Sequence, residues 1–341
     1  MSNKTINKID FVVPWVDSND PEWQKMYHYF RGTEQHAEDS ARFRNWGIFK
    51  YWFRAVEQYA PWVNKVFLIT NGTFPKFINP NHPKLVLINH LDYIPSKFLP
   101  TFNANTIELN INKIEELSEK FVYFNDDFFI NAPISSDYYF RDGLPCDNNE
   151  EQLFPPLTYS EKNQFGISIM ELLDISVING FYSRRDAVKS IPSNWYGFHL
   201  GIKGFCKSVV MYRKERFQGF TMRHFEQPYL KSTLNEVWEK AEQLLLNSCT
   251  QFRHYSNLNQ YVFRYWQLAS NRFYPVRLGG EVYHLGVDDI HQAINALYND
   301  NIKSLCLNDT PLCDNDKFLK ESQLLREAFE RKFPHKSSYE L

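Results

Sequence analysis

Phe121-Val122-Tyr123-Phe124 runs straight into Asn125-Asp126-Asp127, and Phe128-Phe129-Ile130 follows. A continuous apolar run suits a strand covered on both faces. Two carboxylates at its end call for compensation, because an unpaired ionised carboxylate is expensive to bury. A divalent cation, a cationic side chain, or an opening into a cleft at the sheet's carboxyl edge would each supply it. A polar turn between two hairpin strands fits the same letters, since Asn and Asp are ordinary turn residues. The pattern recurs where Ser304-Leu305-Cys306-Leu307 ends in Asn308-Asp309, and where Ile9 to Val16 ends in Asp17. For Asp17 a turn is the plainer reading, because Asp20-Pro21-Glu22 can open a helix. Arg42 and Arg44 begin an apolar-periodic segment, where a helix dipole disfavours cations. They are two solvated side chains, or they face an anion.

The elements that must position these groups alternate. Ile9 to Asp17 reads as a first strand. Phe43, Trp46, Phe49, Trp52, Phe53, Val56 and Tyr59 predict a helix from Arg42 to Tyr59, stopped by Pro61. Strands follow at 65–70 and 84–90, with Asn71-Gly72 turning after the first. Ile107, Ile111, Ile114 and Leu117 give a helix leading into the central strand. This order predicts an α/β domain with a largely parallel sheet. Beyond Pro133 the pattern loosens: helices are expected over 169–185, 234–246 and 255–268, a short strand at Val282–Leu285, and an amphipathic helix over 317–333. Such a tail helix docks on its own domain or lies on a membrane surface.

At 341 residues and net charge −2, the chain has ample core and no bulk electrostatic mark of a nucleic-acid binder. Aromatics reach 17%, and their faces also line sugar and nucleobase sites. Five cysteines without close paired spacing indicate neither a zinc site nor a disulfide framework. The polar start lacks a secretory apolar region, and no run reaches the ~18 apolar residues of a spanning helix. The expected location is cytoplasmic, free or at the inner face of the cell membrane.

Four segments, in order, resemble the conserved regions of the Stealth family of sugar-1-phosphate transferases. These are Ile9-Asp10-Phe11-Val12-Val13-Pro14-Trp15-Val16-Asp17-Ser18-Asn19-Asp20, the block from Arg42-Phe43-Arg44 to Phe124-Asn125-Asp126-Asp127, Arg223-His224-Phe225-Glu226-Gln227-Pro228-Tyr229, and Cys306-Leu307-Asn308-Asp309. The third departs from the usual pattern in the four-residue step from His224 to Pro228. The compact bacterial capsule enzymes are the better match in length. The resemblance implies an α/β, Rossmann-like or GT-A-like fold: a mostly parallel sheet flanked by helices, with a helical C-terminal half completing the active site. Residues 1–140 would form the nucleotide-sugar core, 141–165 a loop or lid, 166–313 a helix-rich part, and 314–341 the tail helix.

It also implies chemistry: transfer of a sugar-1-phosphate from a UDP-sugar to a sugar hydroxyl of a glycan, free or lipid-linked, with UMP leaving. Asp127 and Asp126 are then metal ligands or position the nucleophile, oriented by Asn125, with Asp309 reaching the same Mg²⁺ or Mn²⁺. His224 is the proton-transfer residue and Arg253 a phosphate contact. Glu108, by periodicity an ordinary exposed carboxylate, becomes a candidate for sugar hydroxyls. Trp15, Asp17, Asn71 and Gly72 would form the nucleotide pocket, with Arg42 and Arg44 near the diphosphate. Two other readings remain: a metal-dependent glycosyltransferase that releases UDP, and a carbohydrate-binding protein without turnover.

Overall fold

In the computed structural model, which describes residues 8–32, 44–152 and 166–341, β1 (Ile9–Pro14) is a central strand of the main sheet. It pairs in parallel with β2 (Val66–Thr70), which pairs in parallel with β3 (Leu85–Asn89). On its other side β1 pairs in parallel with β4 (Lys120–Tyr123). The far edge, β8 (Gln227–Leu230), runs antiparallel to β4. The order β3-β2-β1-β4-β8 is thus a mostly parallel sheet, the α/β architecture expected from the alternation.

Side chains leave successive strand residues on opposite faces, and both faces are covered. Phe11 and Val13, Val66 and Leu68, Val122 and Phe124 point into one core. That core includes Trp52, Phe53 and Val56 of α2 (Phe49–Tyr59), which follows α1 (Pro21–Arg31). Val12, Phe67, Ile69, Phe121 and Tyr123 point into the other. There they meet α4 (Gly166–Phe181), α6 (Lys231–Ser248) and α7 (Tyr261–Ala269), while α3 (Ala104–Leu109) leads towards β4. Helix α7 is buried on every residue, which suits an aromatic-rich segment wedged between sheet and helices.

A second, three-stranded sheet lies beside the first core: β10 (Glu281–Leu285) parallel to β11 (Ser304–Asp309), and β11 antiparallel to β5 (Phe128–Ile130). The short strands β6 (Phe140–Arg141), β7 (Leu144–Asp147) and β9 (Tyr274–Pro275) form a third. Helices α5 (Gly201–Val210), α8 (Ile290–Leu297) and α9 (Asn315–Lys332) complete the elements used below. The tail helix α9 buries Leu325, Ala328 and Phe329 in the first core, with Phe329 stacked on Tyr51 at 5.2 Å. No described helix is long and apolar enough to cross a membrane.

Several expectations change. The central stretch is two strands in two different sheets, joined by Phe124–Asp127; it is neither one strand nor a hairpin. The helix expected from Arg42 begins at Phe49, and Gly47 at φ +73 turns the chain just before it. Residues 33–43, Arg42 included, lie outside the described residues, as do 153–165 of the expected loop or lid. The helix around Ile107 stops at Leu109, where Asn110 leaves the helical conformation and its amide donates to the Thr106 carbonyl. The helix expected over 169–185 ends at Phe181, because Ser183 caps a separate helix at Arg184. The one over 255–268 starts only at Tyr261.

Candidate functional site

The antiparallel register of β4 and β8, with Tyr123 opposite Gln227, sets the site. Extended past Tyr123, it brings Asn125–Asp127 against His224 and Phe225, which lead into β8. The register of β11 against β5 places Cys306 opposite Phe128, and the Leu307 N–H donates to the Asp127 carbonyl at 3.0 Å. Three segments far apart in sequence therefore meet at one carboxylate. Ligand atoms of Asp127, His224 and Cys306 all lie within 4.8 Å of one another. The Cys306 thiol donates to Asp127 Oδ2 at 3.7 Å, and Asp127 Oδ1 is buried without a partner. The His224 ring stands edge-on to Phe128, 5.0 Å between centroids.

Burial governs the electrostatics. Desolvation raises Asp127 to about 6, with the charge of Asp309 adding to it. Asp126 goes to about 7, from desolvation and then from Asp127 beside it. Its side chain reaches solvent, yet the protein crowded around it still disfavours the charge. The His224 imidazole falls to about 4, first from desolvation and then from His284, while a hydrogen bond with Asn308 acts the other way. It is therefore neutral at pH 7, with a lone pair to offer. Arg253 also pushes His224 down, and it opposes the burial that raises Glu108.

Glu108 is not the exposed carboxylate that periodicity predicts: it is 6% exposed. The Tyr123 hydroxyl donates to it at 3.1 Å, which offsets part of the burial. Arg253 is itself exposed and donates to Asn105 Oδ1 at 3.3 Å. His224, Arg253 and Glu108 thus form one electrostatic neighbourhood beside Asp127. Asp309, expected at the metal, and Arg44, expected near the diphosphate, pair with each other, and the Asp309 charge acts on Asp127.

Trp15 stacks on Phe49 of α2, 6.1 Å between centroids at 4°. Asp17 follows it and accepts from the Asn19 N–H, which is the turn role that the letters allowed. Asn71 keeps a buried Oδ1 without a partner. At Gly72, φ is +109, and a Cβ would come within 2.8 Å of the Asn89 amide, so the position is built for glycine. These four residues follow the carboxyl ends of β1 and β2, as does Asn125 that of β4, on the edge where open α/β sheets bind ligands.

Sequence reasoning assigns no role to two residues of this neighbourhood, although Cys306 stands in the fourth family-like segment. His284 accepts from the Asn308 amide through Nδ1 at 3.2 Å, opposite it in the β10–β11 pairing. Cys306 is fully buried at Asp127. Only the nonlocal pairing of β10, β11 and β5 reveals either.

Residues 42–146 match the sequence model for Stealth protein conserved region 2. Over 346 residues the chain is 38% identical to the capsular polysaccharide phosphotransferase WcwK of Streptococcus pneumoniae, covering 99% of both chains. It is 39% identical over 274 residues to the receptor polysaccharide phosphotransferase WefC of Streptococcus oralis, 79% of this chain and 80% of that one. With the exopolysaccharide phosphotransferase cps2G of Lactiplantibacillus plantarum it shares 32% over 343 residues, 97% and 96% of the two chains. Among solved structures, the apo form of the bifunctional glycosyltransferase WbbM superposes with TM-score 0.39 at 11% identity, over 95% of this chain and 51% of that one. The chain belongs to the Stealth family, an enzyme among the polysaccharide phosphotransferases.

Proposed function

We propose that the protein transfers a hexose-1-phosphate or N-acetylhexosamine-1-phosphate from a UDP-sugar to a hydroxyl of a glycan acceptor, in capsule or cell-surface polysaccharide assembly. The observation that carries this reading is the meeting of Asp127 with a neutral His224, inside the electrostatic reach of Arg253 and Glu108. His224 takes the proton of the acceptor hydroxyl as its oxygen attacks the phosphorus next to the sugar. The bond from that phosphorus to the bridging oxygen breaks, UMP leaves with the oxygen, and the product is a phosphodiester. Arg253, a guanidinium fork, stabilises the charge gathering on the transferred phosphoryl oxygens. Glu108 accepts hydrogen bonds from the sugar hydroxyls, and the strand ends at Trp15, Asp17, Asn71 and Gly72 receive the nucleotide.

The unpartnered Oδ1 of Asp127 and the solvent-facing carboxylate of Asp126 fit a hard divalent cation. Asp127 and Asp126 would hold Mg²⁺ or Mn²⁺, and Asn125 would orient them. When bound, such an ion supplies charge neutralisation across the diphosphate.

The test is the leaving group. The protein is incubated with a panel of UDP-sugars and a glycan acceptor, and products are followed by nucleotide chromatography and phosphorus NMR. UMP with a new phosphodiester resonance is expected. UDP with a phosphorus-free product would overturn the reading in favour of glycosyl transfer.

A further inference from the structure

Helix α5 is built inside out. An ordinary surface helix turns its apolar stripe to the protein and its polar face to water. Here Gly204 and Ser208 are buried, while Ile202, Phe205, Val209 and Val210 are exposed. At about 100° per residue those four apolar side chains share one outward arc, with Lys203 and Lys207 along its rim. Phe198 just before the helix and Tyr212 just after it extend the patch, at 105% and 70% exposure against 86% for Ile202. A Cβ on Gly204 would come within 3.4 Å of the Glu150 Cγ, so the helix sits close on its small-residue face.

Scattered exposed apolar residues are normal, but a contiguous patch marks a docking surface. The surrounding charge identifies the occupant. Between Phe198 and Arg216 the cations are Lys203, Lys207, Arg213, Lys214 and Arg216, and the one acid is Glu215, on a chain of net charge −2. Glu215 is paired with Arg185 at 3.2 Å, and Lys207 with Glu150 at 2.6 Å. Exposed Lys203, Arg213 and Lys214 have no acidic partner among the described residues. An apolar stripe rimmed by lysine and arginine is the pattern of a helix lying in the interface of an anionic bilayer.

We infer that α5, with Phe198 and Tyr212 at its ends, docks the protein on an anionic lipid surface. The apolar face enters the acyl boundary while Lys203, Arg213 and Lys214 meet the headgroups. The other amphipathic candidate, α9, has Leu325, Ala328 and Phe329 in the first core and Phe318 and Leu324 packed against it. Docking through α5 stands independently of the proposed transfer; it rests on that reading only for its purpose, which is to hold the site beside a lipid-linked acceptor.

Vesicle co-sedimentation tests it, with phosphatidylglycerol–phosphatidylcholine vesicles against pure phosphatidylcholine. The wild-type chain should sediment with the anionic vesicles at low salt and be released by about 0.5 M salt, where the Debye length is only a few ångströms. Ile202→Ser with Phe205→Ser, and separately Lys203→Glu with Lys214→Glu, should each lower the bound fraction at least tenfold. All four side chains are exposed or rim the patch, so folding is preserved, and transfer to a soluble acceptor without vesicles should be unchanged. Equal partitioning of wild type and variants would overturn the inference. So would wild-type dimers, dissolved by Ile202→Ser with Phe205→Ser, in a protein that ignores vesicles; a second copy would then be the occupant. Vesicle binding without transfer would count against the proposed reaction alone.

Discussion

Arg44 holds Asp309 through two nitrogens, Nε on Oδ2 at 2.8 Å and Nη2 on Oδ1 at 3.1 Å. The same guanidinium donates to the carbonyls of Thr310 and Cys313 and lies over the Phe318 ring. The two side chains are only 14% and 11% exposed. The pair therefore ties the segment before α2 to the end of β11 and the start of α9. Asp309→Asn removes the charge but leaves the guanidinium in place, which should destabilise the fold by about 2–3 kcal/mol. Thermal unfolding should show a lower Tm, while the Mn²⁺ concentration giving half-maximal transfer stays where it is in the wild type. A changed metal requirement at unchanged Tm would move Asp309 into the cation site.

His224 and Arg253 are tested together because the Arg253 charge pushes the imidazole towards its neutral form. His224→Ala removes the proposed proton acceptor, and such groups contribute about 10²–10⁴-fold to rate. Steady-state kinetics should show kcat falling by that order, with the circular dichroism spectrum unchanged. Arg253→Lys keeps the charge but loses the planar fork, so it should recover little of the loss seen in Arg253→Ala. Wild-type rates in either variant would exclude that residue from the chemistry.

The parallel sheet was legible because β1, β2, β3 and β4 are short apolar runs punctuated by turn residues, and local pattern is enough for that. The break at Asn125–Asp127 was only half legible. Its letters permit a turn, but nothing local shows that Phe128–Ile130 joins β11, some 170 residues further on. Helix lengths failed where a side chain competed with the backbone, as Asn110 and Ser183 do. Periodicity gives the wrong burial for Glu108 because it identifies a face and not what packs on it: the Tyr123 hydroxyl and Arg253 are tertiary partners. His284 was invisible for the same reason, as its link to Asn308 exists only through strand pairing.

The two raised carboxylates predict a pH signature. A carboxyl whose folded pKa exceeds its unfolded value binds its proton more tightly when folded, so ionisation opposes folding. With Asp127 at about 6, against about 4 unfolded, stability should fall as pH rises from about 4 to 6 and level off above. Asp126, at about 7, extends the slope to near pH 7. Chemical denaturation without divalent ions should show this loss, and Asp127→Asn should flatten its lower part relative to wild type. The proposed Mn²⁺ would bind the ionised form, so its stabilising effect should be large at pH 7.5 and small at pH 5. An effect of Mn²⁺ that is equal at both pH values would separate the ion from these carboxylates.

Behind the site, Asp147 and Arg264 form a fully buried bidentate pair at 2.8 and 3.0 Å. Gln227 of β8 donates to the same carboxylate, and Arg264 donates to the carbonyls of Asn148 and Thr221. Thr221 is three residues before His224, so this network holds the segment that delivers the imidazole to Asp127. Breaking a buried pair on one side leaves an uncompensated charge and costs about 3–5 kcal/mol. Asp147→Asn should therefore lower the denaturation midpoint sharply. Removing both charges, as in Asp147→Leu with Arg264→Met, should recover much of the stability, because two well-packed apolar side chains replace a desolvated pair. Activity should not recover with it, since the carbonyl of Thr221 loses its anchor and His224 its fixed approach. A double variant as active as wild type would show that His224 is positioned by the β4–β8 register alone.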